Sequence, residues 1–266
     1  MDVAGITDAQ VLEAYAGLDS KIEAEEEVST AVALAFVAVV AVCPDANPSD
    51  LWQHVIYRHL LNQGWSDNRW KRVSGFALER ALVAIYEPRL AAHGLRIRIL
   101  DSREANRFLT TLGTDVRSTK IDLFLEGQVG DEWRIFGAAH VKSSIAERIQ
   151  DDVPASRVLI EHGLVSLLLT MDSKSYPPPH GDCINYGELG GRSMGDGGAE
   201  KTRLKRDYIE RSGQFDALFS FNLRTPPSQR PTQSGKCIHA MSLSEQQPDQ
   251  LVAFLVQRWA EYPRSD

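Results

Sequence analysis

Cysteine is scarce in this chain: Cys43, Cys183 and Cys237 are the three in 266 residues, far apart and without paired spacing. A disulfide framework and a cysteine-based zinc site are thereby excluded, and a reducing compartment fits. Positive charge is not in excess either. The formal net charge is −7, which argues against a cationic coat for indiscriminate nucleic-acid binding while leaving room for a basic cleft. The opening "MDVAGITDAQ" has no basic run ahead of an apolar one, so no signal peptide is expected and a cytoplasmic location is. The longest apolar run, "VSTAVALAFVAVVAVC" (28–43), has 16 residues, short of the roughly 20 a spanning helix needs. Bounded by "EAEEE" and "PDANPSD", it reads as a buried helix rather than a membrane segment. No internal repeat is present. The glycine-rich "INYGELGGRSMGDGG" (184–198) lacks the GK[ST] ending of a phosphate-binding loop and the strand-then-helix setting of a dinucleotide site, so it is expected to be a mobile loop.

At 43% hydrophobic and 24% charged residues, the chain can bury a sizeable core. "SDLWQHVIYRHLLNQGW" (49–65) reads as an amphipathic helix capped by Ser49 or Asp50 and ended by Gly64. A helical region over 1–70 and a second region over 71–266 are expected. "SGFALERALVAIYEPRLAAHG" (74–94) begins with a helix-start signal and should end near Pro88. Within it Glu79 lies along the apolar stripe of Gly75, Val83 and Tyr86. Two readings stand for this carboxylate: a surface group paired with Arg80 or Arg72, or part of a site.

From residue 95 the period changes to two. "LRIRIL", "KIDLFLEG" (120–127) and "DEWRIFGAAHVK" (131–142) alternate like strands, the last two joined as a hairpin by "GQVGD". Period two puts His140 and Lys142 on one face and lets Asp122 meet them at a strand end. Lys142 closes an apolar run, where an unpaired ammonium would be costly; a shared site with a carboxylate and a metal-bound water makes it tolerable.

Asp122, seventeen intervening residues and then His140-Val141-Lys142 resemble the PD-(D/E)xK nucleases, in which an acid on one strand and an acid-x-lysine on the next bind magnesium and activate water. Ile121 stands where that family often has proline, and His140 where it often has an acid. The following "KSSIAERIQDD" (142–152) resembles the CCGG-recognising group of type II restriction endonucleases, which includes AgeI-like and BsaWI-like enzymes. There a helix after the catalytic lysine carries an acid-arginine pair, here Glu147-Arg148. A Glu carboxylate can accept from cytosine N4 and an Arg fork can donate to guanine O6 and N7. Ala146 replaces an arginine often found just before that pair. The same tract also fits a plain capped helix, with a Ser144–Glu147 capping box and an Arg148–Asp152 ion pair.

The resemblance implies an α/β fold with a mixed central β-sheet flanked by helices and an N-terminal helical region. It implies a Mg²⁺-dependent type II restriction endonuclease of the bacterial cytoplasm, cutting double-stranded DNA before the first cytosine of a CCGG core and leaving 5′ overhangs. A homodimer on DNA would match a palindrome, and a cognate DNA methyltransferase would act on the same site. Asp122 would hold Mg²⁺ and Lys142 would position or activate water. The usual spacing of the second acid falls on Ala155, so Asp152 is expected as the second metal ligand, with Asp151 and Glu161 as alternatives. Glu79 is a candidate outer ligand, and His140 a ligand, a hydrogen-bonding group or a space filler. Ser143, Ser144, Glu147, Arg148, Lys201, Arg203 and Arg224 are expected at the DNA, Lys201 and Arg203 from the basic helix "EKTRLKRDYIER" (200–211), which equally fits a solvated helix. "VSLLLTMD" (165–172) and "QFDALFSFNLRT" (214–225) read as further core strands, and "DQLVAFLVQRWAEY" (249–262) as an amphipathic helix packed on the core. A structure-directed repair nuclease and a noncatalytic DNA-binding regulator are the rival classes.

Overall fold

A computed structural model describes residues 6–23, 27–113, 121–145, 149–173, 186–189, 198–245 and 247–263. The chain opens with helices α1 (Asp8–Glu23) and α2 (Val28–Val42). A composite helix follows: α3 (Pro48–Asp50), a π-helical stretch (Leu51–Tyr57) and α4 (Arg58–Asn62). Its cap is Asn47, whose side chain accepts from the Ser49 N–H at 3.3 Å, rather than Ser49 or Asp50. Pro48 at the first helical position needs no hydrogen-bond partner for its nitrogen, which moves the start back. Gly64 ends the element with φ 86° as expected.

Helix α5 (Asp67–Ala91) is longer at both ends than the sequence signals suggested. Ser66 is its cap, accepting from the Arg69 N–H at 3.2 Å, so Ser74 and Gly75 are interior. Pro88 lies inside the helix and does not end it. The last turn is held from outside, by fully buried Leu90 and by Arg89, which donates to Asp249 at 2.9 Å and to the Leu243 carbonyl at 2.7 Å. These contacts outweigh the one helical bond that proline removes.

The sheet has six strands in the order β1-β2-β3-β4-β5-β6: β1 (Leu95–Arg98), β2 (Leu123–Val129), β3 (Glu132–Lys142), β4 (Val165–Thr170), β5 (Ala217–Ser220) and β6 (Cys237–Ala240). The first three pair antiparallel and the rest parallel, which makes the expected mixed sheet flanked by helices. Gly130, with φ 60°, lets β2 turn back tightly into β3. The hairpin register slips at Leu125/Glu126, so that Phe136 on β3 has no partner across the ladder. This bulge turns Phe136 to the face where it packs on Trp259 at 5.2 Å between ring centroids. Among the described residues, four further helices follow the first strand: α6 (Ser102–Thr111), α7 (Ile149–Glu161), α8 (Gly198–Glu210), which lies between β4 and β5, and α9 (Gln250–Glu261).

One face of the sheet carries the main core. Leu18, Phe36 and Trp52 from the N-terminal helices and Leu123, Leu167 and Phe219 from the strands belong to a single continuous buried cluster. On the other face Phe124 and Ala138 pack with Ala105 and Leu109 of α6 and Leu159 of α7. Leu168 and Leu218 pack there with Ile149 and Val153 of α7 and with Ile209 of α8. No helix among the described residues is long and apolar enough to cross a membrane.

Candidate active site

Lys142 is the last residue of β3, opposite Thr170 in the parallel β3–β4 ladder. Asp122 enters β2, its N–H donating to the Ala139 carbonyl at 3.3 Å. Its carboxylate is tied down by the Val141 N–H, which donates to Oδ2 at 2.6 Å. Lys142 Nζ then sits 3.4 Å from Asp122 Oδ2 and 3.1 Å from Asp152 Oδ2. Asp152 comes from the first turn of α7, where the helix dipole favours a carboxylate. The ammonium therefore lies between two acids, which answers how a strand can end on a half-buried lysine. Burial alone would depress the Lys142 pKa, but the Asp122 and Asp152 carboxylates outweigh it and hold the pKa above the ordinary lysine value.

His140 is fully buried on the same face of β3. Its Nδ1 is 4.0 Å from Asp152 Oδ1, and its ring meets Phe215 edge-on at 5.6 Å. Of the alternatives for the second acid, Asp151 and Glu161 are exposed, and Ala155 is buried without a charge. Glu79 of α5 is buried, and Arg80 next to it pairs outward with Glu27 at 2.8 Å. Burial first, and then the negative charge of Asp122, push the Glu79 pKa up to about 8 against the pull of Lys142 and Arg80. Four of the expected groups are thus electrically coupled at one end of the sheet: Asp122, Lys142, Asp152 and Glu79.

The donor chemistry fits a hard divalent cation. Both acids flanking Lys142 offer carboxylate oxygens, and the ammonium between them marks a position already suited to positive charge. Among the described residues no three His, Cys, Asp or Glu side chains form a closed metal cage. Magnesium does not need one, since one or two carboxylates together with substrate phosphate and water suffice.

The tract after Lys142 is described only in part. The Ser143 carbonyl accepts from both the Ser173 N–H at 3.0 Å and the Ser173 hydroxyl at 2.6 Å. Ser144 Oγ donates to Glu188 Oε1 at 2.6 Å. Glu147 and Arg148 lie outside the described residues, as do the side chains of Lys201 and Arg203. Arg224 pairs with buried Asp50, its guanidinium donating at 2.8 Å. The polar residues around Asp172, at the end of β4, were not singled out from the sequence. Their contacts join residues 16 to 53 positions apart, and no local spacing signals them.

An acid entering one strand, a lysine ending its antiparallel neighbour and an acid on the next helix lie on a mixed sheet, and that sheet with its flanking helices is the PD-(D/E)xK endonuclease-like α/β fold. No protein-family model matches the chain. The type II restriction enzyme AgeI of Thalassovita gelatinovora is 44% identical over 241 residues, 86% of this chain and 84% of that enzyme. A crystal structure of a specific AgeI–DNA complex matches with a TM-score of 0.85 at 38% identity, covering 97% of this chain and 94% of that one. A crystal structure of a pre-specific BsaWI–DNA complex matches with a TM-score of 0.49 at 15% identity, over 95% and 92% of the two chains. The chain belongs to the family of the type II restriction enzyme AgeI and is a site-specific deoxyribonuclease. The repair-nuclease and noncatalytic alternatives give way to that assignment.

Proposed function

We propose that this enzyme cleaves double-stranded DNA at a palindromic site with a CCGG core, cutting before the first cytosine to leave 5′ overhangs, with Mg²⁺ as cofactor. The observation that carries the reading is Lys142 held between Asp122 and Asp152 at the start of the tract that leads to Glu147 and Arg148. The DNA complex of the similar AgeI supports a duplex substrate.

Asp122 and Asp152 would hold the metal, which when bound supplies Lewis-acid charge to the scissile phosphate and its attacking water. Lys142, kept an ammonium by its two carboxylates, donates hydrogen bonds to the attacking water or to a phosphate oxygen and offsets the charge that grows in the transition state. The Val141 N–H fixes the Asp122 carboxylate, and His140 flanks the other side of Asp152. Glu79 is the outer member of the site and keeps a proton close at neutral pH.

Sequence reading falls to Glu147, accepting from cytosine amino groups, and to Arg148, donating to guanine O6 and N7. Ser143 and Ser144, a few positions earlier in the sequence, would add contacts to the DNA, and Lys201, Arg203 and Arg224 would contact phosphates. Arg224 would do so from its tie to Asp50. Two copies on DNA would give the two-fold symmetry a palindrome demands. A cognate methyltransferase acting on the same site would protect the host chromosome in the bacterial cytoplasm. Digestion of a sequenced plasmid with and without Mg²⁺, followed by sequencing of the fragment ends, tests the proposed cleavage: discrete metal-dependent fragments ending in 5′-CCGG are expected. Fragments with scattered ends, or ends at another core, would refute it.

A further inference from the structure

The turn at 186–189 lies outside the catalytic grouping, yet it is anchored as firmly as a core element. Asp172, just past β4, is fully buried and has a positive φ of 44°. Its carboxylate accepts from the Glu188 N–H at 2.6 Å, the Leu189 N–H at 3.2 Å and the Thr225 hydroxyl at 2.9 Å. Gly187 has φ 66°, and a Cβ there would overlap the Asp172 carboxylate. Only glycine lets the backbone come this close. The described part of the glycine-rich segment, 186–189, is therefore tied to the end of β4.

From this anchored turn Glu188 reaches Ser144 and Lys205. It accepts from Ser144 Oγ at 2.6 Å and pairs with Lys205 of α8. Ser144 is two residues beyond Lys142 and three before Glu147. Its neighbour Ser143 is gripped through its carbonyl by Ser173, one residue beyond Asp172. The backbone leaving Lys142 is thus held along two successive residues by the segment that follows β4.

We infer that Glu188 is a positioning residue for sequence discrimination: through Ser144 it fixes the stretch that tethers Glu147 and Arg148 to Lys142, so that base reading and phosphate cutting stay in register. The inference rests on the proposed reading role of Glu147 and Arg148. A hydrogen bond from a hydroxyl to a carboxylate anchored on buried backbone can hold such a stretch, because a charged acceptor strengthens the bond and the anchor has little freedom of its own.

The test is competition binding in Ca²⁺ at fixed salt, with the full-length protein, a CCGG duplex and duplexes in which one central pair is exchanged. Glu188→Ala should reduce the preference for CCGG by about fivefold or more, the scale of a degraded base contact, while affinity for a scrambled duplex stays within about twofold. A merely structural role would lower both affinities together and would overturn the inference. Ser144→Ala removes one hydroxyl and no charge, so it tests the same link without leaving Lys205 unpaired; it should lower the preference as well. Glu188→Gln keeps an oxygen acceptor and should restore most of it. The double variant should be no worse than the poorer single one, because both break one link. Wild-type preference in both Glu188→Ala and Ser144→Ala, or loss in the first alone, overturns the inference. Preference retained in Glu147→Gln and Arg148→Ala instead sinks the underlying reading role, and the two failures are distinct.

Discussion

The two halves of the sheet do different work. The antiparallel half, β1 to β3, brings Asp122 and Lys142 together on one hairpin, and its strand end is a place of charge. The parallel half, β4 to β6, ends instead in a hydrogen-bonded polar cluster. There Asp172 binds the 186–189 turn, Asn222 donates to the Asp172 carbonyl at 3.3 Å, and Asn47 donates to Asn222 at 3.0 Å. In the first half polar groups remain partly open: the Asp122 and Lys142 side chains are each 19% exposed. In the second they are satisfied and buried, as interior polar groups must be. Chemistry needs groups that can exchange partners, whereas aim needs groups that cannot.

Breaking the charged half should have the largest effect. Lys142→Ala and Asp122→Ala are each expected to slow Mg²⁺-dependent plasmid cleavage by on the order of a thousandfold or more, with thermal midpoints within a few degrees of wild type because neither removes core volume. Near-normal cleavage by either variant would move the centre elsewhere. Asp152→Asn should come close to that loss, while Asp151→Ala, on an exposed position of the same turn, should cleave within about twofold of wild type. If the two variants exchange these outcomes, the second acid has been misplaced.

Breaking the parallel half should show first as instability. Asp172→Ala leaves two backbone N–H groups and a buried hydroxyl without their acceptor, at about 1–3 kcal/mol for such a loss. Its thermal midpoint, read by calorimetry, should fall by roughly 5 °C or more; an unchanged midpoint would mean that the cluster is dispensable.

The smallest effect concerns Glu79 and has a definite sign. Its folded pKa of about 8 lies above that of an unfolded glutamate. The folded state therefore binds the proton more tightly, and the associated stability is full below about pH 4. It is lost as pH rises through about 8. Glu79→Gln, melted without divalent metal, should be about neutral at pH 5 and more stable than wild type by a few degrees at pH 9. A gain at pH 5 that disappears at pH 9 would contradict the environment described for this carboxyl.

The charged half was legible in the sequence because its logic is local. A hairpin turn within "GQVGD" and period-two alternation place Asp122 beside Lys142, although the structure narrows that turn to Gly130 and Asp131 and carries β2 on to Val129; the Phe136 bulge lies upstream of His140 and so does not disturb their shared face. Asp152 was legible only as one of several acids on a helix; packing of α7 against the sheet turned it inward and left Asp151 outside. The parallel half was mostly illegible. Strand β6 is short and sits in a polar, proline-punctuated stretch, and α6 is announced only by its Asp101–Glu104 capping box. Asp172, Gly187 and Glu188 look like ordinary loop residues, since what distinguishes them is contact across long separations. The extent of α5 was missed at both ends because tertiary contacts at Arg89 and Leu90 override proline's usual signal.

The sheet's outer strands have a consequence for how copies of this protein meet. Both β1 and β6 contain only four residues, against 11 in β3, so either rim offers few open backbone groups for a further strand. On β1, Arg96 and Arg98 are also drawn to the Glu126 carboxylate, at 2.5 and 3.1 Å, which places charge along that rim. Short, charged rims resist the edge-to-edge joining that leads to aggregates. Such rims disfavour joining of copies through their sheets, so the dimer proposed on DNA is expected to form through helices and loops rather than as one sheet continued across two chains.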